Sequence, residues 1–259
     1  MKNFNKTLKI IIKTTFIGRM LIKTIRYPIQ YIQLRRSSWL WKEILQENLS
    51  IEDKFNKIYN KKMWGKGESV SGAGSSLYFT ENLRKEFPAL IQKYSIRRIF
   101  DAPCGDLNWM KHLIPTMNVK YVGGDIVKDL IEENKNKYEN ENTSFLHIDI
   151  IKDIYPTADI MICRDCLFHF SYYDIKCVLD NFIRSNIPYL FLTSHLSTQP
   201  NHDIKTGDYR FINFFEPPFY FDANPLERVN DSMPPESPRQ MCLWSRSQII
   251  NSLSKIIIH

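Results

Sequence analysis

Apolar positions along this chain recur with two periods, and their alternation predicts its architecture. Short, largely apolar runs at residues 97–101, 120–125, 144–148, 158–164 and 189–194 read as strands. Segments 50–62, 80–92, 128–138 and 173–183 carry helical spacing between them. The run 158–164 is apolar almost throughout, which predicts burial on both faces. This regular strand–helix repeat implies an α/β class fold, a Rossmann-like, doubly wound, mostly parallel sheet of about seven strands. Residues 240–244 and 255–258 are expected to supply the last strands. The pattern breaks at 196–238, a stretch rich in proline and aromatics, where a loop of such length predicts an active-site lid.

The first 50 residues form a separate expectation, a basic amphipathic helical arm preceding a main domain at 51–259. Ile10, Ile11, Ile17, Leu21, Ile22, Ile25, Ile29 and Ile32 share one side, and Lys2, Lys6, Lys9 and Lys13 another. Lysines interrupt every apolar run, so none approaches the ~20 residues of a membrane span. Three readings fit residues 1–42: a helix lying on an anionic membrane surface, a helix packed on the domain, or a mitochondrial presequence, less favoured by its lysine-rich character.

Charge sharpens this division. The chain of 259 residues has a formal net charge of +7, yet residues 1–42 hold ten of its 35 basic residues and none of its 28 acidic ones. The remainder is nearly neutral, which argues against a nucleic-acid channel. Five cysteines at irregular spacing, Cys163 and Cys166 included, read as reduced thiols and a cytoplasmic location, with peripheral contact at the inner membrane face if the arm is interfacial.

Candidate chemistry falls at the strand ends. The run Ile99 to Asp106 is a strand closing at Asp101, followed by a tight turn with the single glycine Gly105. Asp125 follows Gly105 by 20 positions, at the end of the next strand. That spacing suits an adenine nucleoside: the glycine admits it to the backbone and the carboxylate accepts from the ribose hydroxyls. Pro103 and Leu107 stand where other such turns carry glycine. The cradle for a pyrophosphate is missing, which disfavours NAD and FAD and fits S-adenosylmethionine (SAM). Asp149 closes the third strand, Arg164 and Asp165 the fourth, Ser194 and His195 the fifth. Each aspartate taken singly is equally well a helix cap or turn former.

The segment Asp101-Ala102-Pro103-Cys104-Gly105-Asp106-Leu107-Asn108-Trp109 resembles motif I of class I SAM-dependent methyltransferases, in a D-x-x-C-G-D-x-x-W form. Ser71 to Ser75 and Asn201 to Arg210 are similar to the same subgroup, whose members accompany bacterial surface-polysaccharide (capsule) biosynthesis. The resemblance implies cofactor contacts from Asp101, Ala102, Gly105, Trp109, Asp125, Ile126, Asp149, Ile150 and Arg164. It places Cys163 to His169 opposite the methyl group.

Methyl transfer from a sulfonium chiefly needs an aligned nucleophile, and an oxygen acceptor must also lose a proton. His169 is the candidate base, four residues beyond Asp165, which would orient it or the acceptor if a helix opened there. His169 reads equally as a histidine packed between Phe168 and Phe170. His195 and Asp203 are further candidate bases. Trp64, Ser71, Arg210 and His195 are candidate acceptor contacts; Arg164 and Arg210 could each bind a phosphate or carboxylate of the acceptor, or form ordinary salt bridges. No cluster suggests a metal, and Arg164-Asp165-Cys166-Leu167 stands where base-modifying enzymes carry an Asn-Pro-Pro-Tyr type motif. The expected activity is O-methylation of a small polar or phosphorylated acceptor such as a sugar, nucleotide sugar or phosphoryl-type glycan precursor. N-methylation of a small amine and a membrane-associated, non-catalytic SAM-binding protein are the alternatives.

Overall fold

A computed structural model describes Trp41 and residues 43–65, 67–233 and 237–254 of the chain. The chain divides into two compact units, Met1–Asn48 and Leu49–His259. Of the first unit, the described residues are 41 and 43–48, with helical backbone at 41 and 43–46. The arm expected at 1–42 and the strand expected at 255–258 therefore fall almost wholly outside the described residues.

The second unit opens with helix α1 (Ile51–Asn60), where Ser50 accepts the Asp53 amide at 3.0 Å as N-cap. Helix α2 (Glu81–Lys93) leads to β1 (Arg98–Asp101) and β2 (Lys120–Asp125). Helix α3 (Lys128–Tyr138), β3 (Thr143–His147), β4 (Ile160–Cys163), helix α4 (Tyr172–Arg184) and β5 (Tyr189–His195) continue the alternation. β6 (Glu227–Asn230), β7 (Arg239–Ser245) and helix α5 (Arg246–Leu253) follow. The seven strands lie in the order β3-β2-β1-β4-β5-β7-β6. β1 to β5 are parallel, and β7 runs antiparallel to both of its neighbours.

Burial follows the pattern read from the sequence. Every residue of β4 is buried, as a central parallel strand covered on both faces requires. In α4, Ile175, Val178, Leu179 and Phe182 share the buried stripe, and Ser171 caps the helix by accepting the Asp174 amide at 3.1 Å. Asp159 anchors the amino-terminal edge of the sheet. Its carboxylate accepts the amides of Arg97 and Arg98, both at 2.9 Å, and the Arg98 guanidinium at 2.6 Å.

Two expectations need correction. Asp165 does not open a helix: it takes φ 51°, and a single 3-10 turn, Leu167–His169, follows. The stretch 196–238, expected as one long loop, also contributes the strand β6, and several of its aromatics pack as core. Ile212, Phe214, Phe219 and Phe221 are buried, and the amides of His195 and Leu196 donate to Ile212 and Pro238 at 2.8 and 2.9 Å. Its apolar content was the clue, since loops solvated on all sides have no use for four buried aromatic or branched side chains.

The parallel sheet brings the carboxyl ends of β1 to β5 to one edge, and the strand order reverses between β1 and β4. Close packing beneath that edge is strict at Gly124, where an added Cβ would lie 2.7 Å from Ile148 Cγ2 and 3.0 Å from Phe100 Cε2. Gly124→Ala is therefore expected to cost about 1–3 kcal/mol through overpacking. Denaturant unfolding checks this, and a change of only a few tenths would show that the strands give way freely.

Candidate active site

The turn after β1 is held from both sides. On the β2 side, the Gly105 amide donates to Asp125 Oδ2 at 3.2 Å and the Val127 amide to Oδ1 at 3.0 Å. The Cys104 amide donates to the Gly124 carbonyl at 2.8 Å, and Asn134 of α3 donates to the Gly105 carbonyl at 2.7 Å. Gly105 sits at φ 56°, a conformation that favours glycine, and an added Cβ would come within 2.4 Å of Ser71 Oγ.

On the other side, Asp106 fastens the Gly/Ser-rich loop to the turn. Its carboxylate accepts the Ser69 hydroxyl and the Val70 amide, both at 2.9 Å, while its own amide donates to Ser71 Oγ at 3.0 Å. Asn108 extends the clasp, donating to Glu68 at 2.7 Å and to the Ser75 carbonyl at 3.0 Å. Ser71, expected as an acceptor contact, is thus engaged with the turn itself. Ser69, Glu68, Asn108 and Asn134 were missed because their partners lie 29 to 40 residues away. Serines opposite a second acidic residue after the glycine were the available signal.

Burial dominates the electrostatics of the two strand-end aspartates. Asp125 is pushed up to about 6 by burial, against the backbone amides of Val127, Gly105 and Ile126 and the nearby His147. Asp101 is pushed up to about 7, again chiefly by burial; the Tyr121 hydroxyl, donating at 2.6 Å, and the Arg164 charge oppose this. The Ala102 amide donates to Ile162 at 2.9 Å, which joins this turn to β4. Beyond β3, the Ile148 amide donates to the Asp125 carbonyl at 3.0 Å and sets the two strand ends side by side. Asp149 shapes its own turn, accepting the Ile151 amide at 2.9 Å and pairing with Lys152 at 3.1 Å. The Ile150 carbonyl accepts the Tyr155 hydroxyl at 2.6 Å, and that of Ile126 lies 3.0 Å from His147 Nε2.

The far side of the edge is built on a buried ion network that sequence reading missed apart from Arg164 and Asp165. Arg164 grips Asp231 through Nε and Nη2 at 2.9 and 3.1 Å, and its Nη2 also donates to the Gly74 carbonyl at 2.8 Å. Asp165 lies 3.3 Å from Arg164 and 3.4 Å from Arg239, which also reaches Asp231 at 3.4 Å. Burial alone would raise the Asp165 pKa, but these two guanidinium groups hold it below the usual carboxylate range. Arg164 is therefore committed to the scaffold, with Trp109 under it at 5.7 Å.

The two histidines differ in kind. His195 is buried, its pKa pushed down to about 4 by that burial, and its Nδ1 accepts the Ile212 amide at 3.3 Å. His169 is half-buried, and its Nδ1 lies 2.8 Å from the Asp208 carbonyl, an acceptor that fixes the proton on Nδ1 and leaves the Nε2 lone pair available. Burial lowers its pKa below the ordinary histidine value, so it is neutral at pH 7. Its orienting partner is thus a backbone carbonyl rather than Asp165. Trp64, Phe168 and Tyr209 surround the ring at 6.4, 4.6 and 5.7 Å between centroids. Arg210 is buried beside this turn, its Nη1 donating to Phe170 at 2.7 Å and Phe168 at 3.3 Å. Among the described residues no group of His, Cys, Asp and Glu is placed to hold a metal, the cysteines are free, and no helix is long and apolar enough to cross a membrane.

The raised Asp101 pKa carries a sign. The folded state binds the proton more tightly than the unfolded chain, so this group's contribution to stability falls as pH rises from about 4 to about 7. Asp101→Asn keeps an acceptor for Tyr121 and removes the buried charge. It should stabilise the ligand-free protein at pH 8 and do little near pH 4. Equal effects at both pH values in denaturant melts would contradict the assignment.

Comparison of the sequence with family models and with curated proteins finds no match. Solved structures do match. A SAM-dependent methyltransferase of Leishmania major superposes with a TM-score of 0.59 at 15% identity, over 80% of this chain and 90% of that one. Magnesium protoporphyrin IX methyltransferase of Synechocystis, with S-adenosylhomocysteine (SAH) bound, gives 0.56 at 12% identity, over 76% and 98%. A Burkholderia thailandensis 1,6-didemethyltoxoflavin-N1-methyltransferase, with its substrate and SAH bound, gives 0.54 at 12% identity, over 75% and 86%. At such identities the likeness concerns architecture, and this chain has the fold of class I SAM-dependent methyltransferases.

Proposed function

We propose that this protein is a SAM-dependent methyltransferase, with the cofactor along the carboxyl ends of β1, β2 and β3 and a small-molecule acceptor beside His169. The observation that carries the reading is Asp125. A buried carboxylate, fixed by the Gly105 and Val127 amides, closes β2 next to a turn whose glycine leaves no room for a side chain. The carboxylate keeps lone-pair capacity for a ribose hydroxyl. The neighbouring folds solved with SAH support the same ligand.

When bound, SAM supplies an electrophilic methyl group on a sulfonium. The Asp149–Ile150 turn, set beside Asp125 through Ile148, would take the adenine end. Asp101 and Trp109 fall where the resemblance puts the rest of the cofactor. On the acceptor side, His169 offers Nε2 as general base, its tautomer fixed by Asp208 and its neutrality by burial. A base favours a hydroxyl acceptor over an amine that can attack from its free-base form. A sugar or a nucleotide- or phosphoryl-linked sugar of a surface glycan is the acceptor class suggested by the motif resemblance. The half-exposed Tyr209 and Phe211 near His169 suit ring stacking.

Calorimetry with SAM and SAH tests the cofactor. Binding of both is expected, with Asp125→Ala weakening it at least tenfold and affinity falling as pH drops through about 6, where Asp125 protonates. Binding of neither would end the methyltransferase reading. For the base, His169→Ala should lower kcat about 10²-fold or more against a hydroxyl acceptor. The wild-type acid limb should lie below pH 6.5, because the base works unprotonated and burial lowers its pKa. An unchanged kcat in the variant would remove His169 from the chemistry.

A further inference from the structure

Four buried hydrogen-bond donor atoms lie around the turn Phe168–Phe170. Arg210 Nε and Nη2, Tyr172 Oη and Trp64 Nε1 are each buried without a partner among the described residues. Arg210 reaches the turn through its Nη1 bonds to Phe168 and Phe170, and its guanidinium lies 5.2 Å from the Tyr172 ring centroid. Trp64 reaches it through His169 at 6.4 Å and through Phe55, which packs on both Trp64 and Phe170 at 6.2 and 6.0 Å. All four atoms can give a proton to an acceptor, and such groups are rarely left unsatisfied when buried.

Charge singles out Arg210 among them. The buried Arg164 and Arg239 are paired with Asp231 and Asp165. Arg210 is 2% exposed, and among the described residues no carboxylate lies within ion-pair distance. Asp203 and Asp208 act on the Arg210 charge only from beyond ion-pair distance and are engaged locally, Asp203 accepting the Tyr172 and Ile204 amides and Asp208 the Tyr209 amide, while Asp174 accepts the hydroxyls of Ser171 and Thr206. Lys54, donating to the Thr206 carbonyl at 2.9 Å, adds positive charge there, as does Lys205. Bridging two carbonyls occupies one nitrogen of the guanidinium. It gives no reason to keep a buried charge, whose loss of hydration is costly unless a partner compensates it.

We propose that the acceptor carries an oxyanion, a phosphate ester or a carboxylate, held by the Arg210 fork with help from Tyr172 and Trp64. This deepens the methyltransferase reading and rests on it for the word acceptor. The guanidinium matches either oxyanion through two parallel N–H bonds. The anchor stands beside His169, so it fixes the acceptor next to the base. Binding displaces the side chains that now shield Nε and Nη2.

The full-length protein, saturated with SAH, is titrated with glucose 1-phosphate, glucuronate and neutral glucose by calorimetry. One or both anions should bind at least tenfold tighter than glucose, and which one binds separates phosphate from carboxylate. Arg210→Gln should lose at least tenfold in anion affinity and Tyr172→Phe a few-fold, both with unchanged affinity for SAH. Should Arg210→Gln fail to fold, Tyr172→Phe and Trp64→Phe carry the same comparison. Anions no tighter than glucose, or variants that bind them like the wild type, would overturn the proposal. If SAH itself does not bind, the methyltransferase reading falls, and the same titrations on the free protein still decide the anion site.

Discussion

The site depends on one buried contact, the Asp125 carboxylate accepting the Gly105 amide across the gap between β1 and β2. A turn leaving a strand has unsatisfied amides, and a carboxylate inside a protein needs donors; here each supplies what the other lacks. The pairing fixes the turn after β1 close to the end of β2, and the Asp106 clasp then closes the Gly/Ser-rich loop against the opposite side. Remove that contact and the strand ends would still align, since the parallel ladders hold them.

The edge separates charges by function. At the ends of β1 and β2 stand carboxylates whose pKa values are raised by burial, environments that welcome hydroxyl donors or positive charge. Between β4, β6 and β7, two arginines and two aspartates neutralise one another and tie together chain segments far apart in sequence. Such a network is weak evidence for stability, because desolvation offsets much of the attraction. Its effect here is positional: Asp165 stays ionised and engaged by two guanidinium groups. Arg210 lies outside this balance: among the described residues no carboxylate pairs with it directly, unlike Arg164 and Arg239.

How much was legible in the sequence depended on the range of the interaction. β2 and α3 fall where the apolar spacing puts them, because amphipathic period and strand alternation are local properties. The strand-end aspartates were legible for a related reason: parallel topology sends every carboxyl end to the same edge, so position in the repeat gives position in space. Asp165 was misread as a helix start because its φ of 51° comes from packing between Arg164, Arg239 and Thr193, partners that no local pattern announces. β6 was missed within 196–238 because an edge strand of four residues carries little alternation of its own.

The sequence alone therefore determined the layer architecture, the strand ends and the nucleoside-type turn, since each follows from spacing within about twenty residues. Tertiary structure decided which side chains are free to act. Ser71 and Arg164, polar residues as eligible as any other, are taken up by Asp106 and Asp231. His169 has its tautomer set by a carbonyl 39 residues on, and Arg210 is buried with no ion-pair partner among the described residues. Partnership is a property of distances between segments remote in the chain. A residue's chemical type states what it can do; its neighbours in the fold decide whether that capacity is already used.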